Sequence, residues 1–390
     1  MKNKLLNRYF ILVWVGAVCL LLIQNTMCTA IPLFLNEQGF STTFSGMLGI
    51  PFAIMGVAAR MAGGYLMDRF GRRLVMIGGC LLMGIASFFF QLFPIAVCML
   101  IFRGLHGAGF AFGQAAFSTA NVDVTPEDKR SLGIGVFWMS TALALASTGY
   151  LIQIFGRDGD YSRIFIVCLV LGILGAVISF CCDYEKKRAA VQVQRPAAEA
   201  KKNWRSFLEP TAARPAVIEF FVMLGAACCN IFILTFAAEQ GYVHAGTFLL
   251  VSAAAMAISN LSADVLVNRF GAKKILGITM GVSGILTILI TWIPCPFTYY
   301  LGGIGFGMTQ GFSFPVLTIL TMSSVTHNRR GTANSTMLLA GDVGMGVGTF
   351  LWGAAIDKVS YAAAFACAGG CIILGGVLCF LLYRSAAGEA

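Results

Sequence analysis

Two charged residues interrupt runs that are otherwise apolar, and their types define the chemistry available. Asp342 lies ten residues into a run that begins near Thr332, which at the helical rise puts it about 15 Å deep. An aspartate near the middle of a bilayer is costly when ionised, a property that suits a group loading and releasing a proton. Arg103 follows about eight residues of another run, roughly 12 Å into hydrocarbon, where an unpaired guanidinium is also expensive. Arg103, His106, Phe110 and Gln114 share one helical face and give it a polar stripe fit to line a water-filled cavity. Either charge could instead serve structure, Asp342 as the partner of Arg103 or of another polar group. Glu219 is a further candidate for the proton, although it stands only about one turn inside its run and could reach the interface. Asn230, eleven residues on, shares its face. With Gln24, Asn25, His106, Gln114 and Gln310 it is a candidate cavity donor or acceptor, or else a bridge between helices.

The elements that must carry these residues follow from composition. Of 390 residues, 58% are apolar and 11% charged, against about 25% charge in a soluble domain. A bilayer core takes about 20 helical residues. Twelve such runs can be read, near 10–35, 43–64, 74–93, 95–121, 132–155, 164–182, 216–238, 246–267, 275–293, 298–322, 332–355 and 361–383. The expected fold is therefore all-α and integral to the membrane, with short connections and no sizeable water-soluble domain. A secreted or cytosolic enzyme and a disordered scaffold are excluded. The first run imitates a secretory signal after Lys2, Lys4 and Arg8, but it is too long and Gln24 and Asn25 break it, so an uncleaved helix is expected.

Charge sorts by place. Of 27 Lys and Arg residues, 22 fall in the termini and alternate connections, whereas Arg157, Arg163 and Lys358 lie on the other side and Arg60 and Arg103 inside helices. This asymmetry puts both termini in the cytoplasm and requires an even number of crossings. The net charge of +10 is topological, and no nucleic-acid partner is expected. The 13 cysteines show no CxxC or Cys/His ligand spacing, so neither a disulfide nor a metal site follows. Gly107-x-Gly109-x-x-x-Gly113 misses the dinucleotide fingerprint, and neither HExxH nor GxSxG occurs, so no cofactor and no enzymatic activity are expected.

The chain also repeats itself. Asp68-Arg69-Phe70-Gly71 returns as Asn268-Arg269-Phe270-Gly271 at an offset of 200, and Arg130 matches Arg330 at the same offset. Gly107, Gly109, Phe110 and Gln114 return 196 residues later as Gly303, Gly305, Phe306 and Gln310. Two six-helix halves follow, 1–182 and 216–390, joined by the polar, basic segment 183–215, within which 204–208 could form a short amphipathic helix.

Gly64-Tyr65-Leu66-Met67-Asp68-Arg69-Phe70-Gly71-Arg72-Arg73 fits, at every defined position, the G-x-x-x-D-R-x-G-R-R signature between helices 2 and 3 of the major facilitator superfamily. Arg103-Gly104-Leu105-His106-Gly107-Ala108-Gly109-Phe110-Ala111 resembles that family's helix 4 signature, R-x-x-x-G-x-G-x-A. The chain thus resembles a bacterial-type twelve-helix transporter of this family, close to drug and metabolite exporters. The resemblance implies two pseudo-symmetric six-helix bundles, a monomer in the plasma membrane and alternating access. It also implies a conformational switch at Gly64, Asp68, Arg69, Gly71, Arg72 and Arg73, with Asp68 in a charge network near the start of helix 11. Arg72 and Arg73 are expected to follow the negative end of helix 2 and favour its dipole. The second copy has Asn268 in place of the acid and Asp264 one turn earlier, which weakens its switching role. For Arg103 the resemblance implies proton coupling or substrate contact. Many exporters of the family carry Gly-Pro in helix 5, and here Ala144-Leu145-Ala146-Ser147-Thr148-Gly149 stands instead. The leading expectation is proton-coupled efflux of a small organic molecule through Asp342, Arg103 and Glu219. The alternatives are proton symport of a nutrient and a transporter-like sensor.

Overall fold

The computed structural model describes residues 5–126, 129–156, 161–185, 209–323 and 330–383, apart from a few side chains on the helices. Among these, the first half contains α1 (Arg8–Glu37), a short α2 (Thr42–Met47), α3 (Gly49–Phe70), α4 (Arg72–Leu92), α5 (Ala96–Val124), α6 (Arg130–Phe155) and α7 (Ser162–Phe180). The second contains α8 (Ala213–Glu239), α9 (Thr247–Phe270), α10 (Ala272–Trp292), α11 (Pro296–Ser323), α12 (Arg330–Lys358) and α13 (Tyr361–Leu382). Among the described residues eleven spans are long and apolar enough to cross a bilayer, and the apolar part of α9, Thr247–Ala263, supplies a shorter one. Apolar side chains also cover much of the outside, as lipid requires: Ile54, Ile154, Phe180, Leu261 and Trp292 are all exposed.

The duplication is visible in the helix boundaries. Arg72–Leu92 and Ala272–Trp292 are both 21 residues long and lie 200 apart. Each is preceded by a glycine in the left-handed region, Gly71 at φ 83° and Gly271 at φ 84°, a conformation that side chains with a Cβ rarely adopt. Elsewhere glycine permits contact between helices. A Cβ on Gly348 would lie 2.5 Å from the Leu224 carbonyl oxygen, and one on Gly344 would press on that of Phe220, so α12 lies against α8 backbone to backbone.

The chain groups into two compact units, Met1–Phe34 with Pro51–Lys202, and Leu35–Ile50 with Asn203–Ala390. The second therefore includes α2. Its Ser41 caps it by accepting the Phe44 amide, and Gly46 meets the Thr349 backbone of α12. In the same unit, Ile218, Val222, Leu276, Met280, Val316, Met337 and Ile372 form a buried core across α8, α10, α11, α12 and α13.

Two expectations change. The span read as 43–64 is broken at Leu48 into α2 and α3, and α3 continues to Phe70. The basic motif is accordingly helical up to Gly71 and is no open loop. Arg72 and Arg73 follow the end of α3 across Gly71 and at the same time open α4, so they also stand at a positive helix end. The amphipathic segment 204–208 lies outside the described residues.

Candidate functional site

In the first unit, α5 carries Arg103 inward. The residue is 5% exposed, and its guanidinium lies 4.5 Å from the centre of the Phe52 ring on α3. One nitrogen donates to Nδ1 of His106 at 3.1 Å, and another to Sγ of Cys28 on α1 at 3.4 Å. A guanidinium can only donate, so Nδ1 accepts and the His106 proton sits on Nε2. That Nε2 is buried without a hydrogen-bond partner. Gln24 donates its amide to Cys28 at 3.3 Å and leaves Oε1 buried and unpartnered. Half-buried Phe52 stacks on Phe110 at 6.0 Å. One turn further along the same face, Gln114 Oε1 accepts from Arg60 at 2.9 Å. The polar stripe read from the sequence is thus assembled, whereas Asn25 turns its amide to the Leu21 carbonyl of its own helix at 3.0 Å.

In the second unit, Glu219 is turned into the protein. It is 3% exposed, its Oε2 has no hydrogen-bond partner, and a Cβ on Gly341 would lie 3.1 Å from its Cγ. The turn Pro210–Ala212 and α8 begin earlier than the apolar run suggests, so six residues of α8 precede Glu219. Half-buried Asp342 is the next residue along α12 after Gly341. Glu219 on α8 thus meets α12 at the residue before Asp342. Asn230 and Gln310 are half-buried on α8 and α11, and Gln310 Oε1 lacks a partner. Asn260 was not foreseen: its Nδ2 on α9 is likewise unpartnered, and it stands 200 residues after Arg60.

At the end of the first unit where the basic motif lies, Glu185 accepts the backbone N–H of Arg72 at 2.7 Å and of Arg73 at 3.2 Å. Its carboxylate offsets the positive end of α4, and Arg72 also pairs with Asp123 on α5 at 3.4 Å. Arg73 reaches the Phe180 carbonyl and lies over its ring. Tyr184 donates to Asp123 at 3.5 Å; burial first, then Asp123 and Glu185, hold its hydroxyl above the ordinary tyrosine range. Arg69 is exposed over Phe70, a contact that Arg269 and Phe270 repeat. Gly64 and Asp68 fall on α3, but their surroundings, like those of Asp264, lie outside the described residues. A cavity of about 310 Å³ between α3 and α4 is lined by Leu66, Phe70, Leu74, Val75, Leu82 and Phe112 and contains none of the polar candidates. Among the described residues, no group of three His, Cys, Asp or Glu is placed to hold a metal ion.

Similarity to known proteins agrees with this architecture. Quinolone resistance protein NorA of Staphylococcus aureus is 21% identical over 212 residues, covering 53% of each chain, so the chain spans about half the length of that relative in the match. Multidrug resistance protein 1 of Bacillus subtilis is 24% identical over 349 residues, 86% of each. Among solved structures, the nucleoside transporter NupG superposes with a TM-score of 0.76 at 13% identity, covering 97% of this chain and all of that one. The human organic anion transporter MFSD10 (TETRAN) gives 0.67 at 14%, covering 95% and 99%. The Major Facilitator Superfamily profile matches residues 13–243 and 215–389, both halves of the duplication in turn. By that match and by its fold, the chain belongs to the Major Facilitator Superfamily of membrane transporters.

Proposed function

We propose that this transporter exports a small organic molecule in exchange for protons, with Glu219 and Asp342 as the groups that load and release the proton. The observation that carries this reading is Glu219 itself, a carboxyl group enclosed by apolar helices, one oxygen unpartnered, beside a second acid. Acidic groups held inside a helical bundle mark proton relays in membrane transporters, and Glu219 is such a group. Export is supported by the names of the resistance proteins to which the sequence is similar. The path opens to one side of the plasma membrane at a time, both termini face the cytoplasm, and the monomer acts without a cofactor or enzymatic step. The halves 1–182 and 216–390, joined by 183–215, are the moving bodies. The motif Gly64, Asp68, Arg69, Gly71, Arg72 and Arg73 governs their switching. Gln24, His106, Gln114, Asn230 and Gln310 contact the substrate, with Asn25 contributing through its helix, and Arg103 tunes coupling or binds substrate.

Purified protein in liposomes carrying an internal pH dye tests the direction. With norfloxacin as probe, opposed movement of drug and protons supports exchange. Movement together would establish symport, and binding without counterflow would identify a sensor.

A further inference from the structure

We infer that Arg103, His106 and Gln24 form a recognition site for an organic carboxylate. This names the substrate class and rests on the reading that the protein transports a small organic molecule. The guanidinium is buried, and its contacts are the neutral imidazole of His106, the Cys28 thiol and the Phe52 ring. Among the described residues no carboxylate lies within ion-pair distance of it. A buried cation held only by neutral groups is expensive, and an anion removes most of that cost.

The neighbouring polar atoms complement the same ligand. His106 offers Nε2–H as an unused buried donor, so a carboxylate bridging Arg103 and His106 meets a cation and a neutral donor together. Gln24 Oε1 is an unused acceptor and suits a hydroxyl or N–H on the ligand. Phe52 and Phe110 supply an aromatic wall for an apolar body.

The duplication shows that the fold does not need a cation here. The residue four before Gly303 is Tyr299, corresponding to Arg103 four before Gly107. Tyr299 is also buried, yet its hydroxyl donates to the Ala245 carbonyl at 2.8 Å and is satisfied internally. The second unit closes this position with a neutral group, whereas the first keeps a charge that no carboxylate among the described residues pairs.

The test is thermal unfolding of the full chain in detergent at pH 7 and constant ionic strength, with 3-hydroxybenzoate, its methyl ester and 3-hydroxybenzylamine as probes. The carboxylate should raise Tm saturably, and the ester and amine should not. Arg103→Gln should weaken the carboxylate's apparent Kd about 30-fold while leaving the unliganded Tm equal or higher, because an uncompensated charge has gone. His106→Phe keeps the cation, should weaken binding about tenfold, and serves if Arg103→Gln fails to fold. Equal stabilisation by ester and acid, no stabilisation by the acid, or an unchanged Kd in Arg103→Gln overturns the assignment. Proton movement in liposomes is read separately. Carboxylate selectivity without proton exchange would remove the coupling reading alone, and exchange without carboxylate selectivity would remove this one alone.

Discussion

The carboxylate of Asp357 accepts the backbone N–H of Thr42 at 3.0 Å across 315 residues of sequence, and its other oxygen takes that of Thr43. One acid at the end of α12 thus satisfies two amides at the start of α2, a segment too short to be stable alone. Asp357→Ala should destabilise the second unit by about 1 kcal/mol, as loss of a cap does, and Asp357→Asn by less, since an amide oxygen still accepts. Tryptophan-detected thermal unfolding checks this; an unchanged Tm in the alanine variant would count against the contact.

Glu185 plays the corresponding part at α4. Removing it leaves the amides of Arg72 and Arg73 without their acceptor and two basic side chains at a positive helix end. Glu185→Ala should lower stability by about 1–2 kcal/mol and Glu185→Gln by clearly less. Protection of the α4 amides in hydrogen exchange is the direct readout, and equal protection in the wild type and Glu185→Ala would contradict it.

Cys182 gives a pH dependence. Burial first, then the charges of Asp183 and Glu185, push its thiol from 9.0 up to about 11. Only the thiolate reacts, so alkylation of Cys182 should keep rising about tenfold per pH unit beyond 9 and level near 11. Iodoacetamide labelling followed by peptide mass spectrometry measures this; levelling near pH 9 would show an unshifted thiol. The raised value also lowers stability with pH: the contribution is complete below 9, where both folded and unfolded thiols keep their protons, and is lost as pH rises through about 11.

Close helix contact predicts a contrast between glycines. Gly348→Leu must move α12 away from the Leu224 carbonyl and should cost about 1–3 kcal/mol or abolish folding. Gly370 on α13 has nothing within 4 Å of where a Cβ would stand, so Gly370→Ala should be neutral or stabilising by up to about 1 kcal/mol. Equal yields and Tm values for both variants would refute the packing argument.

What the sequence reveals is what depends on local period and on repetition. Bilayer thickness imposes helix length, so the twelve runs stand out, and the offset of 200 aligns Gly71 with Gly271 in the sequence itself. The motif around Asp68 reads as a loop because it is charged, yet its one backbone breaker is Gly71, and the helix persists to that point. The burial of Glu219 is not legible for another reason: depth counted along one helix says nothing of which neighbour covers a side chain. Its contact with Gly341 spans 122 residues and leaves no local signal. Cys28 and Phe52 are equally silent, since what makes them partners of Arg103 is convergence of three helices. Asn260 was within reach through its offset from Arg60.

If the buried acid of the second half carries the proton, Glu219→Gln in liposomes separates transport from coupling. The amide keeps the shape but cannot exchange a proton. Counterflow of norfloxacin at equal pH should therefore remain near the wild-type rate, while accumulation driven by a pH gradient should vanish. Accumulation at the wild-type level in Glu219→Gln would contradict the account.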